Sequence, residues 1–507
     1  MSQTKVIADR HFEIADIDPR IYGSFTEHMG RCIYEGIYEP DSEFADEDGF
    51  RKDVIALVKE LGVSIIRYPG GNFLSGYDWK DGVGPLSERQ AKLDLAWHSL
   101  ETNQFGTDQF LTWCSKAGVE PMMAVNLGSA GLPEALEILE YTNVDADSKW
   151  SNYRVQNGHK DPYNVKVWCL GNEMDGPWQL GHKNAEEYGT LAANVARGMR
   201  QIDESLELVI AGSSNRQMPT FGHWEETILE KAYDLVNHIS LHTYYEDIGD
   251  TQEFLICSTN LDYFINEVCD IADAVKAKLR SEKTITLSID EWNVWRLSKY
   301  QNLPRATSWE TAPRIIEDEY DVVDAVVVGN LLISILRRSD RVKIACLAQL
   351  VNVIAPIRAE VGHPAWRQTI FFPFSYTARY GRGKVLTTRI DSMKIESEKY
   401  GDVNTVDSIV TYDEATNTAA IFLVNRSLTE THLSEIYLAG FKDITILEQA
   451  TITDSNFKKS NTLATGEQVK PDKKITSSVS GNTISISLSP VSWQMVRVSL
   501  KKDWTNS

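Results

Sequence analysis

Short apolar runs recur along the first 350 residues, and few of them alternate with polar positions. The runs are Ile21–Glu27, Ser64–Gly70, Pro121–Leu127, Val165–Glu173, Leu208–Ser213, His238–Tyr245, Thr286–Trp292 and Ile344–Leu350. Each is rich in β-branched or aromatic residues, as expected of strands buried on both faces of a parallel sheet. Between them lie helical patterns, among them Gly49–Leu61, Thr107–Ala117, Asn184–Ile202 and Asp318–Arg338. The last opens on Asp318, Glu319 and Asp321 and closes on Arg337 and Arg338, which suits the helix dipole at both ends. Strands alternating with helices over this length predict a closed (β/α)8 TIM barrel rather than an open sheet.

After about residue 380 the pattern changes to alternation. Ser408–Tyr412, Ala419–Asn425, Leu433–Leu438, Ile444–Thr451, Thr483–Leu488 and Gln494–Leu500 switch between apolar and polar residues, with Asn, Gly, Asp and Pro at the breaks. That predicts an antiparallel, jelly-roll-like β-sandwich. The polar segment Asn461–Ser480 reads as a mobile loop or hairpin tip. Lys5–Ile14 has strand character and is expected to join the sandwich. The predicted division is therefore 1–18 for that strand, 19–380 for the barrel and 381–507 for the sandwich.

Charge narrows the partners. The formal net charge is −21, and the 15 Lys+Arg and 15 Asp+Glu from position 381 onward cancel, so the excess lies in the first 380 residues. Such a surface disfavours nucleic acid, anionic membranes and polyanionic substrates, and leaves neutral ligands such as sugars. The start, Met1 to Val6, lacks the apolar core of a signal peptide. The most apolar long stretch, Ala325–Leu336, is interrupted by Gly329, Asn330 and Ser334 and is too short to span a bilayer. Six scattered cysteines form no paired framework. A reduced, cytoplasmic protein is the expectation.

The chemistry sits where strands end. Glu27, Arg67, Asn172, Glu173, His242, Tyr244, Glu291 and Gln349 close the apolar runs, and in a TIM barrel the C-terminal strand ends build the active site. Glu173 ends the fourth run and Glu291 the seventh, which face each other across the mouth of a closed barrel. A poorly solvated strand-end carboxyl has a raised pKa and suits proton donation. Two opposed carboxyls are what glycoside hydrolysis requires: one protonates the departing oxygen and the other attacks the anomeric carbon. A strand-end Glu alone is more often a salt-bridged structural residue; the pair at these strand numbers, each flanked by Asn and Trp, is what points to catalysis.

Longer blocks carry a resemblance. Gly23–His28 (GSFTEH), Arg67–Phe73 (RYPGGNF), Ser75–Trp79 (SGYDW), Asp81–Pro85 (DGVGP), Glu101–Gly106 (ETNQFG), Gly171–Trp178 (GNEMDGPW), His242–Tyr245 (HTYY), Asp290–Asn293 (DEWN) and Ala348–Asn352 (AQLVN) run in order through the whole barrel region. In these blocks the chain resembles glycoside hydrolase family 51, the α-L-arabinofuranosidases. The resemblance implies a retaining, exo-acting enzyme that releases terminal α-L-arabinofuranosyl residues from arabino-oligosaccharides or arabinoxylan-derived oligosaccharides. It further implies Glu173 as acid/base, Glu291 as nucleophile and Asn172 as partner of the sugar 2-hydroxyl. Arg67 and Tyr244 resemble the residues that keep the nucleophile ionised and oriented. Glu27, Asn72 and Gln349 match positions that bind furanose hydroxyls, and Trp97, Trp178 and Trp295 are candidate apolar walls. A hexamer is implied as well.

No cofactor motif is present: Gly70–Gly71 opens no helix and so is no phosphate cradle, and the histidines lack metal-ligand spacing. His28 and His242 are read as structural hydrogen-bonding residues, and no metal is expected. The loop from Trp295 to Glu317, with Trp309, is expected to shape leaving-group preference. The C-terminal domain is expected to be structural. The competing functions are another glycosidase of the same clan, such as a β-xylosidase or endo-glucanase, and a non-catalytic sugar-binding barrel.

Overall fold

The computed structural model describes residues 2–303 and 306–503. Its centre is a closed parallel barrel of eight strands: β1 (Gly23–Phe25), β2 (Ile65–Tyr68), β3 (Glu120–Val125), β4 (Val167–Leu170), β5 (Glu207–Ile210), β6 (His238–Tyr245), β7 (Thr286–Val294) and β8 (Val342–Ala348). Every apolar run from the sequence supplies one of them. Alternation persists inside these strands, but both faces are dry. Ile65, Val167, Cys169, Ile344, Cys346 and Ala348 fill the barrel interior. Their neighbours Ile66, Trp168, Leu170, Ala345 and Leu347 pack outward under the helices. Arg67, two residues after Ile65, is thereby carried inward by the strand's own period.

The helix Val322–Arg337 is buried all round because it lies between barrel and sheet domain, and its interruptions in the apolar run have specific partners. A Cβ on Gly329 would stand 2.2 Å from Trp493 Cδ1, so only glycine lets the helix meet the sheet there. Asn330 Nδ2 donates to Asp407 Oδ2 at 2.8 Å, and Ser258 Oγ donates to Asn330 Oδ1 at 2.9 Å. The helix starts later than its acidic run: Asp321 caps it and closes a capping box with Asp324. Asp318 instead accepts from the Arg296 amide at 2.8 Å. Arg337 does more than face a dipole, since it reaches Asp262 and Asp407 at 3.0 and 2.5 Å.

Nine further strands form one sheet in the order Phe441–Ile452, Ser492–Lys502, Thr418–Asn425, Val406–Asp413, Lys384–Asp391, Ser2–Asp16, His432–Ala439, Thr483–Leu488 and Ser478–Ser480. Residues from both ends of that order, such as Phe441 and Ile484, share one core, so the sheet folds over on itself. It is not wholly antiparallel. Ser2–Asp16 pairs antiparallel with Lys384–Asp391 but parallel with His432–Ala439. Lys384–Asp391 was not evident as a strand because most of its side chains are half-buried or exposed.

The Asn461–Ser480 segment is tied down rather than a free tip. Asn461 is buried; its Nδ2 donates to Arg367 O and Val469 O, and its Oδ1 accepts from the Val469 amide. Glu467 pairs with Arg367 at 2.8 Å.

Asp407 is the electrostatic hinge between the two layers. Burial opposes its charge, but Arg337 and Arg426 outweigh it and hold the carboxyl below its ordinary value. Its stabilisation is therefore complete above the ordinary carboxylate range and is lost as pH falls below it. Asp407→Ala leaves two guanidiniums under-compensated and should cost ~3–5 kcal/mol in denaturant unfolding, with a shallower acid limb. A loss below about 1 kcal/mol would contradict this role.

Candidate active site

The strand ends bring most of the sequence-predicted residues to one cavity of about 540 Å³, lined among others by Phe25, Glu27, Asn72, Trp97, Glu173, Trp178, Tyr244, Glu291, Trp295 and Gln349. Arg67 and Asn172 lie just beneath and are fully buried. After β4 the chain turns sharply: φ is 85° at Gly171 and 43° at Glu173, a left-handed bend that costs about 1–2 kcal/mol at a non-glycine residue. Strain of this kind needs support from its surroundings. Glu173 has it: His242 Nδ1 lies 3.0 Å from Oε1, and Trp178 Nε1 donates to Oε2 at 2.6 Å.

Glu291 reaches the same space by a different local device. Successive side chains of a regular strand point to opposite faces, yet Asp290 and Glu291 both meet Arg67. A register shift between Ser288 and Glu291 makes this possible, and it sets Glu291 opposite His242 of β6. Arg67 Nη1 then donates to Glu291 Oε1 at 2.9 Å, and Arg67 Nε is 3.7 Å from Asp290 Oδ2. Arg67 Nη2 donates to Asn172 Oδ1 at 2.6 Å, and its guanidinium lies 4.8 Å from the Phe25 ring centre. Burial works against the charge on Arg67, but Cys169, Asp290 and Glu291 outweigh it and hold the pKa above its ordinary value. Tyr244 donates its hydroxyl to Glu291 Oε2 at 2.8 Å and packs edge-on against Trp295.

Glu27 is the third carboxyl. Its Oε1 accepts from the Phe73 amide and Trp97 Nε1, each at 2.9 Å, so Trp97 acts here as a polar donor as well as a wall. Gln349 accepts from the Glu27 amide at 3.2 Å and lies 3.4 Å from its Oε2. Burial first, and then the charge of Glu291, push Glu27 up to about 8. Gly70 and Gly71 let the exit of β2 pass these groups: a Cβ would stand 2.6 Å from Glu27 Cγ at Gly70, and 3.1 Å from Glu291 Oε1 at Gly71. Asn72 follows in the turn and lines both this cavity and a neighbouring one of about 560 Å³ that shares Trp178. Trp178 is half-exposed between them.

A carboxyl held by a cation and a phenol, facing a second carboxyl held by an imidazole and an indole, is the constellation of a glycosidase. Comparison with known proteins agrees. Residues 57–255 match the α-L-arabinofuranosidase 1 domain and residues 290–492 the α-L-arabinofuranosidase C-terminal domain. The chain is 50% identical to an intracellular exo-α-(1→5)-L-arabinofuranosidase 1 of Bacillus subtilis, over 98% of this chain and 99% of that protein. It is 49% identical to an exo-α-(1→6)-L-arabinofuranosidase of Bifidobacterium longum, over 98% of each. A solved family 51 α-L-arabinofuranosidase from B. longum superposes with a TM-score of 0.94 at 44% identity, over 98% of this chain and 99% of that one. The chain belongs to family 51 of the α-L-arabinofuranosidases.

In this family 51 chain several site residues carried no separate signal in the sequence. His242 was read as structural, and it does hydrogen-bond; but its partner is Glu173, and Glu291 Oε1 is only 3.6 Å away. Burial works against a charged imidazole there, but Glu291 and Glu173 outweigh it and raise the pKa above the ordinary histidine value. Asp290, Phe25 and Cys169 surround Arg67 and were not singled out. Asp175 accepts from the Ser214 amide at 3.1 Å, and burial, with Glu173 nearby, pushes it up to about 7. His28 is structural as expected: it pairs with Glu101 at 2.8 Å and stacks on Phe73. Among the described residues, the atoms that could jointly hold a metal are those of Glu173, His242 and Glu291, and of Asp46, Glu47 and Asp48. Part of the Trp295–Glu317 loop, residues 304 and 305, lies outside the described residues.

Glu27 gives a measurable pH signature. Its folded pKa near 8 exceeds that of an unfolded chain, so its contribution is complete below the ordinary carboxylate range and is lost as pH rises to about 8. Glu27→Gln is neutral throughout. The stability difference, variant minus wild type, should grow by on the order of 1 kcal/mol per pH unit between about 5 and 8 and then level off. A flat difference in denaturant unfolding across that range would refute a neutral Glu27.

Proposed function

We propose that this chain is a retaining, exo-acting α-L-arabinofuranosidase in which Glu291 is the nucleophile and Glu173 the acid/base. The observation that carries this reading is spacing: an oxygen of Glu173 and one of Glu291 lie within 4.8 Å of each other. Retaining enzymes hold their carboxyls at about 5–5.5 Å, whereas inverting ones leave about 6.5–9.5 Å for a water. The partners divide the roles. Arg67 and Tyr244 both donate to Glu291, one to each oxygen, and so fix the orientation of the nucleophile. Glu173 meets the groove at Trp178, where a leaving group would depart.

In the first step a Glu291 oxygen attacks the anomeric carbon while the glycosidic bond breaks and the Glu173 proton passes to the departing oxygen. The arabinosyl ester on Glu291 is β-linked. In the second step Glu173 takes a proton from water, whose oxygen attacks the same carbon and frees Glu291, restoring the α configuration. Asn172, fixed by Arg67, is placed to bind the 2-hydroxyl; Glu27, Asn72 and Gln349 bind the other furanose hydroxyls, with Trp97, Trp178 and Trp295 as walls.

Relatives at nearly equal identity are named for (1→5) and (1→6) linkages, which supports a shared glycone site and terminal arabinofuranosyl oligosaccharides as substrates. Relatives named intracellular support a cytoplasmic location. The family resemblance supports a hexamer. Residues 19–380 form the proposed catalytic unit, with 1–18 and 381–507 as a structural domain.

Leaving-group chemistry tests the roles. Glu173→Ala should lose ~10²–10⁴-fold on arabino-oligosaccharides, whose sugar leaving groups need a proton, while largely sparing the first step on an activated aryl arabinofuranoside. Azide should rescue turnover and yield the α-arabinosyl azide. Equal loss on both substrates without azide rescue would mean that the roles are wrong or reversed.

A further inference from the structure

The barrel mouth holds a donor set with the shape of a metal site. His242 Nδ1 lies 3.0 Å from Glu173 Oε1 and 3.6 Å from Glu291 Oε1, and the three ligand atoms all lie within 4.8 Å of one another. A tetrahedral zinc ion with bonds of about 2.0–2.2 Å separates its ligand atoms by about 3.3–3.6 Å. The two histidine–carboxylate spacings lie on either side of that range.

Both carboxylates are braced from behind. Trp178 Nε1 holds Glu173 through Oε2, and Tyr244 holds Glu291 through Oε2, so the Oε1 atoms face inward. Such outer partners orient ligands and raise affinity. Arg67 donates to Glu291 Oε1, but a carboxylate oxygen has a second lone pair for an ion. Asp290 and Glu291 flank the guanidinium of Arg67, and Glu173 adds a further carboxylate across the cavity. The adjoining cavity of about 540 Å³ leaves room for water in a fourth position. The second cluster, Asp46, Glu47 and Asp48, is different, because Lys116 Nζ already sits 2.7, 3.1 and 2.5 Å from its three carboxylates.

We propose that Glu173, His242 and Glu291 form a binding site for a zinc-class divalent cation that excludes the sugar, making the ion a competitive inhibitor. The ion occupies the space between the two carboxyls and ligates both, so neither is free to act on a glycoside. Removal of metal by a chelator leaves the hydrolytic groups intact and restores activity.

Equilibrium dialysis of the metal-stripped protein against zinc chloride tests the site without reference to any substrate, so its failure leaves the hydrolytic reading standing. One zinc should bind per chain. His242→Ala and, as a second and milder variant, Glu173→Gln should each weaken binding by ~10–100-fold or more, while Asp46→Asn leaves it unchanged. In wild-type initial rates zinc should raise KM with kcat unchanged, reversibly on adding chelator. Undiminished binding in both site variants, loss of binding in Asp46→Asn, or a fall in kcat at constant KM would overturn the proposal.

Discussion

A single buried guanidinium organises the mouth of this barrel. Arg67 has no access to water, and its nitrogens reach Glu291, Asn172 and Asp290 on two other strands while its face lies over Phe25 of a third. A buried charge is tolerable only when paired and hydrogen-bonded. The same bonds that hold Arg67 in place therefore fix Asn172 beside Glu173, and Glu291 across from it. Removing one side of such a pair leaves the other charge uncompensated, which is why this contact resists change more than any exposed ion pair on the surface.

Around that cation the acidic groups are differentiated by their surroundings. Glu291 faces a cation and a phenol, Glu173 an imidazole and an indole, and Glu27 chiefly neutral donors in a dry corner. Burial and the charge of Glu291 drive Glu27 toward neutrality at physiological pH. One cavity thus offers a fixed carboxylate, a carboxyl at the rim and a neutral acid able to donate to a hydroxyl. A neutral furanose, rich in hydroxyls and without charge, suits that mixture, as does the acidic surface read from composition.

Much of this was legible in the sequence, for physical reasons. Parallel barrel strands are dry on both sides, so their apolar runs stand out, and the polar residues that end them mark the functional face. What did not show was anything set by backbone irregularity or by distant partners. The register shift in β7 that turns both Asp290 and Glu291 toward Arg67 leaves no trace in hydrophobic period. His242 looks like any strand-end histidine until the fold sets it between two glutamates. Gly329 and Asn330 looked like flaws in an apolar helix, whereas Trp493 and Asp407 across the layer interface require them. The strand Lys384–Asp391 escaped because its exposed half carries the charges of a surface loop.

Glu291, held by Arg67 and Tyr244, donates the oxygen of the new bond to the sugar in the proposed mechanism. Covalent trapping tests it most directly: incubation with a slow fluorinated arabinofuranoside or a cyclitol epoxide or aziridine of arabinofuranose configuration, followed by peptide mapping. A single adduct should form on Glu291, blocked by prior incubation with substrate. Label on Glu173, Glu27 or any other acidic residue, with Glu291 unmodified, would contradict it.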